Sequence, residues 1–450
     1  MQITYSIRAR CLISLLVLSL TAGISNCPAQ DAPQNGSTIY DPNPQHLWNR
    51  LNETLFDRAA PDGKHFGLDE LDILYWGTTK NLLVEPSQQR ALKVLDDFIK
   101  KHGEKLIHDP LKRALLQRDL WELFDWSAKP FRPPEETRAS SELQSRLVVL
   151  IRRLALTTNE IATLPDNCAQ TGKNGPAELP RGLFETNGDW VRVGVYGSSE
   201  VPMAPAHVSG FDGRSAFSVM LKMPEGRQAA VAYLEKLRMF KLLEQVWVYR
   251  TNQFDWPTNA PHYDLEPNTD VPQFPANTEW ALVRRMLVID AEGRIQPTPI
   301  TESIQLRRYL KIKSGTQQFF ELQLDRRQGG ALRALGQNEK GFPFVHFMGS
   351  GQDPFQKIDA FGFPRNLPQD SENLQTAVLK TCFNCHNGPG IFSVRSYTGD
   401  LSPQPSQMPI DPAPVESARE AAAAIDWKQR QFDWGLLQGL WRQAEKTPPH

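Results

Sequence analysis

The chain has 450 residues, 40% hydrophobic and 22% charged, which excludes disorder, collagen and a long coiled coil and leaves a globular protein with a sizeable core. Fifty basic residues against 51 acidic ones give a formal net charge of -1 with no Lys/Arg block, which argues against a nucleic-acid partner held through phosphates. The length suggests two or three domains, and 35 prolines predict long loops.

Arg8 and Arg10, an apolar run from Cys11 to Ile24, and then small and polar residues follow the order of a secretory signal over residues 1–29. The run is shorter than the roughly 20 residues a membrane span requires. No later stretch qualifies, so the mature chain is expected to be exported, periplasmic, and without a transmembrane segment. Cleavage fits near Thr21 and Gly23 or near Cys27 and Ala29. Lipid attachment at Cys27 is the alternative, against which Asn26 counts. Five cysteines are too few for a disulfide scaffold. Cys168, in a polar stretch, reads as a lone thiol that pairs with Cys27 only if Cys27 is retained.

A linker over 30–45 leads into a helical region, 46–170. Ser87 caps a helix with Leu92, Leu95, Phe98 and Ile99 at three-to-four spacing, and Asp109-Pro110 starts a second through Leu111, Leu115, Leu116, Leu120, Leu123 and Phe124. A third runs through Leu143, Leu147, Leu150, Ile151 and Leu154, completing a bundle. Residues 185–370 read as α+β with antiparallel strands. Val191 to Val195 and Phe217 to Leu221 alternate, Trp280–Ile289 and Ile304–Ile312 form the best strand pair, with Arg308 the exception to alternation, and Ala229–Phe240 is one helix. Six phenylalanines within 341–369 lie in a loop that something apolar should cover. Asp370-Ser371 then caps a helix ending at Cys382.

Cys382-Phe383-Asn384-Cys385-His386 is a CxxCH sequence, which chance places in about one chain in a thousand of this composition. Thiols one helical turn apart form thioethers to two vinyl groups of one porphyrin edge, and the adjacent histidine is placed to ligate the iron. Zinc calls for a second CxxC or a His pair, and a redox dithiol opens a helix rather than closing one. One covalent haem c is therefore the implied cofactor.

Over residues 371–450 the chain resembles the class I cytochrome c family: a helix ending in the CxxCH motif, then Asn387-Gly388-Pro389-Gly390, a Met408-Pro409 pair and an amphipathic C-terminal helix over Ser417 to Gln443. The resemblance implies an all-α haem domain. It implies further that the carbonyl of Pro389 accepts the second ring N–H of His386, that Met408 is the distal ligand and that the last helix crosses the motif helix. Met408 follows His386 more closely than the family usually has it, which leaves His346, Met348, or a vacant or water-bound position as alternatives. Arg395 and Tyr397, where a loop crosses the haem edge, are expected to donate to the propionates. Trp427, Trp434 and Trp441 share one helix face. His207 and His262 have no triad partners nearby in sequence.

The expectation is an exported single-haem c-type cytochrome that passes one electron to and from a redox partner protein, with no substrate-converting residues. The alternatives are a haem-dependent redox enzyme and a haem-based sensor. Carbon monoxide reaching an open iron would favour either one.

Overall fold

The computed structural model describes residues 38–59, 65–66, 81–129, 134–172, 175–195, 202–239, 245–255, 260–313, 317–334, 386, 388–394, 397, 410–412 and 417–446. The signal, Cys27, the phenylalanine-rich 341–369, the motif helix, Cys382, Cys385, Arg395, Met408, His346 and Met348 lie outside the described residues.

The structure is α+β. Its centre is an antiparallel seven-stranded sheet whose strands, in spatial order, are Ala331–Ala334, Gln317–Asp325, Ile295–Tyr309, Thr278–Ile289, Ser215–Lys222, Val191–Val195 and Ile410–Pro412. Alternation along the strands divides the core. Phe217, Val219, Leu221, Trp280, Leu282 and Tyr309 face one side and pack with the helix Arg227–Met239. Met220, Ala281, Val283, Ile304, Leu306 and Leu322 face the other.

The N-terminal helices form as their sequence spacing suggests. Asp109 caps Pro110–Ser127 by accepting from the N–H groups of Leu111 and Lys112, and Pro110 sits in the first turn, where its missing donor costs nothing. Ser87 is the first residue of its helix rather than the cap, since Pro86 precedes it and no side chain caps this end. The third helix starts earlier than its apolar residues indicate, at Pro134, and ends at Leu154. In the sheet, the strand expected over Ile304–Ile312 begins at Ile295 and ends at Tyr309, leaving Leu310 exposed.

The C-terminal segment departs most from expectation. The single helix expected over Ser417 to Gln443 is two, Ser417–Gln429 and Phe432–Lys446. Tight bonds from the N–H groups of Arg430 and Gln431 to the carbonyls of Trp427 and Lys428 end the first, and Gln431 Nε2 takes the Trp427 carbonyl as well. The tryptophans therefore do not share a face. Trp434 and Trp441 enter the core with Trp121, Leu147 and Ile151, whereas Trp427 packs on the separate cluster that includes Phe217 and Trp280.

A separate all-α unit is not what the described residues of this segment display. Ile410–Pro412 pairs with Val193–Val195 as an edge strand, Glu420 receives Arg192 and the Ser218 hydroxyl from the sheet, and Trp434, Leu437 and Trp441 complete the core of the N-terminal helices. No helix among the described residues is long and apolar enough to cross a membrane.

Candidate functional site

Of the CxxCH residues, His386 is described, and the segment that follows it is fixed by the sheet. Gly390 opens a short 3-10 turn, Gly390–Ser393, with φ +54, a conformation in which glycine carries no penalty. A Cβ there would run into Gln273 Oε1, which accepts the Ile391 N–H at 3.0 Å. The Ser393 hydroxyl donates to the Gly390 carbonyl at 2.7 Å and meets the Tyr309 hydroxyl at 2.6 Å. Further along, the Tyr397 carbonyl accepts the Ala204 N–H at 2.8 Å, and Gln317 Nε2 donates to the His386 carbonyl at 2.6 Å. Two strands, Ile295–Tyr309 and Gln317–Asp325, and two loops therefore hold this stretch in place.

His386 is 4% exposed, and its Nδ1 lies 2.7 Å from the Ser393 carbonyl oxygen. A carbonyl only accepts, so Nδ1 carries the hydrogen and Nε2 the lone pair. Burial first, then the Arg307 charge and His207, hold this imidazole well below its ordinary pKa, against the upward pull of the Ser393 bond, so the ring is neutral.

Two further rings pack on it. Tyr397, fully buried, stands 5.5 Å from the His386 ring centroid, and His207 stands 5.8 Å from it and 5.7 Å from Tyr397. Arg307, 1% exposed, donates from Nε to the Tyr397 hydroxyl at 2.8 Å. His207 also touches Phe217, and its enclosed Nδ1 has no hydrogen-bond partner among the described residues. Burial, then Arg307 and Arg284, push its pKa down to about 4.

No family model, curated protein or solved structure matches this chain.

The structure places Tyr397, expected at the haem edge, against the His386 ring, with its hydroxyl accepting from Arg307 Nε. It also changes one assignment. The carbonyl that receives His386 Nδ1 is that of Ser393, while the Pro389 carbonyl accepts the Phe392 N–H at 3.3 Å. The 3-10 turn folds Ser393 back under the ring, which brings its oxygen to the place the resemblance gave to Pro389. No group of three or more His, Cys, Asp or Glu among the described residues is arranged to hold a metal ion. Cys168 is a free, buried thiol in the short helix Asn167–Thr171, pushed up to about 12 by burial and Asp166.

Sequence reasoning missed Arg307, Tyr309, Gln317 and His207. Ser303, Gln305, Arg307 and Tyr309 form the second face of a strand whose first face is Ile304 and Leu306, and alternation alone does not show that this more polar face is covered, although all four are buried. His207 had a weak signal: Ala204-Pro205 starts a short helix, Pro205–Gly210, and places the histidine in its first turn.

Residues that hold a haem iron need a neutral imidazole with its far nitrogen fixed by an acceptor, in a site shielded from water. His386 has these properties, and with Cys382 and Cys385 in the same motif the donor set fits haem c.

Proposed function

We propose that this protein is an exported single-haem c-type cytochrome that carries one electron at a time. Cys382 and Cys385 attach the haem, and His386 is the proximal ligand. The observation that carries the reading is the buried, neutral His386 ring, with Nδ1 held by the Ser393 carbonyl, inside the CxxCH sequence.

When bound, haem would supply a one-electron ferric/ferrous couple, which a one-electron centre on a redox partner protein could reduce or reoxidise with no bond formed or broken. The chain's own residues orient and shield. Ser393 fixes the ring tautomer and direction, Tyr309 and Gly390 fix Ser393, and Ile391, Val394 and Tyr397 exclude water. Met408 is the proposed distal ligand.

The test is expression in a periplasm with haem-attachment machinery, followed by denaturing electrophoresis stained for haem and by absorption spectra with and without carbon monoxide. Covalent haem in the parent, lost in Cys382→Ala and Cys385→Ala, is expected. A parent that carries none ends the reading. Carbon monoxide binding that appears only after Met408→Ala supports Met408 as ligand, and ready binding by the parent refutes it.

A further inference from the structure

We propose that Arg307 is a positioning residue for the haem iron: held behind Tyr397, it supplies a buried positive charge that raises the potential at which the iron bound by His386 accepts its electron. The inference rests on the reading that His386 ligates haem. It extends that reading by giving the sheet, which carries no motif of its own, a share in the chemistry.

One strand, Ile295–Tyr309, grips the ligand at two points two residues apart. Tyr309 meets the Ser393 hydroxyl, and the Ser393 carbonyl holds His386 Nδ1. Arg307 donates to the Tyr397 hydroxyl, and the Tyr397 ring lies against the His386 ring. The first grip is neutral and the second carries a charge. Arg307 itself is 1% exposed, so that charge sits inside the protein, one ring away from His386.

Reduction of ferric to ferrous iron adds one negative charge to the site. A fixed positive charge in a poorly screened interior favours the reduced form. A unit charge one ring beyond the ligand, at an effective dielectric constant of about 20, is worth about a tenfold shift in the ferrous-to-ferric ratio.

The experiment measures midpoint potentials of the full-length holoprotein by spectroelectrochemistry for the parent, Arg307→Lys and Arg307→Met. Arg307→Met is expected to keep the absorption spectrum and to move the ratio about tenfold toward ferric at a fixed ambient potential, a midpoint lower by about 59 mV. Arg307→Lys, which keeps the charge, is expected to stay within about threefold of the parent. A parent-like midpoint in Arg307→Met overturns the proposal, and so does a Lys variant that falls as far as the Met variant. If Arg307→Met does not accumulate, Tyr397→Phe removes the acceptor that holds the guanidinium in place. Its midpoint must then fall in the same direction by less, and an unchanged midpoint overturns the proposal. Failure of the underlying reading looks different, because the parent itself then shows no covalent haem.

Discussion

Lys428 Nζ lies 2.7 Å from Asp125 Oδ2, and both side chains are fully enclosed. The same oxygen receives Arg214 Nη1 at 2.7 Å, and Lys428 also reaches Asp433 at 2.8 Å. One buried carboxylate therefore ties the helix Pro110–Ser127 to the sheet and to both C-terminal helices. Burial still outweighs the two cations, and the Asp125 carboxyl is pushed up to about 6.

Removing one partner of this group leaves buried charge uncompensated. Lys428→Ala is expected to destabilise the fold by about 3 to 5 kcal/mol in urea titrations followed by circular dichroism. Arg138→Ala, which breaks an exposed pair with Glu142, serves as the control and is expected to change stability by less than about 1 kcal/mol. Equal effects from the two substitutions would refute the assignment.

Glu122, on the same helix, is pushed up to about 7 by burial, against the Arg214 and Arg118 charges. Its folded pKa lies above its unfolded one, so the native state binds the extra proton between about pH 4.5 and 7, and its contribution to stability is lost as the pH rises through that window. Glu122→Gln keeps the shape without the titration. The variant is expected to match the parent near pH 4.5 and to exceed it by up to about 3 kcal/mol at pH 8. A stability difference that does not change with pH would count against this.

Gly390 tests the turn beneath His386. Gly390→Ala puts a methyl group at φ +54 and against Gln273 and Ile312, so a loss of about 1 to 3 kcal/mol is expected in thermal melts. The covalent haem per mole of protein should fall with it, because Ser393 moves. A variant with parent-like melting and haem content would show that the turn does not position the ring.

Cys168 is expected to resist iodoacetamide in the native protein at pH 8, since the thiolate is the reactive form and burial disfavours it. Peptide mapping should find it alkylated only after denaturant is added. Rapid native labelling would mean that the helix Asn167–Thr171 opens readily.

Helical periodicity and start signals were legible because they are local: Asp109-Pro110 and the three-to-four spacing of Leu147, Leu150, Ile151 and Leu154 depend on nothing distant. The motif histidine was legible for the same reason. Its surroundings were not. Arg307 and Gln317 reach it through strand pairing, and a polar strand face reads identically whether water or another segment covers it. The break after Gln429 was hidden because Arg430 and Gln431 are ordinary helix formers, and long-range contacts at Lys428 and Trp427 set the turn. The Ser393 carbonyl was beyond reach because a backbone acceptor leaves no mark in residue identity.

The edge strand Ile410–Pro412 and the helix Phe432–Lys446 have a consequence for the order of events during synthesis. The first helices leave the ribosome with Trp121 and Leu147 lacking their final cover, which arrives only with Trp434 and Trp441. Closure waits for the two C-terminal helices and brings together residues 228 and 303 positions apart, Arg192 with Glu420 and Asp125 with Lys428. Such distant pairing makes for slow folding, in which the core of the N-terminal helices stays uncovered until the helix Phe432–Lys446 has been made.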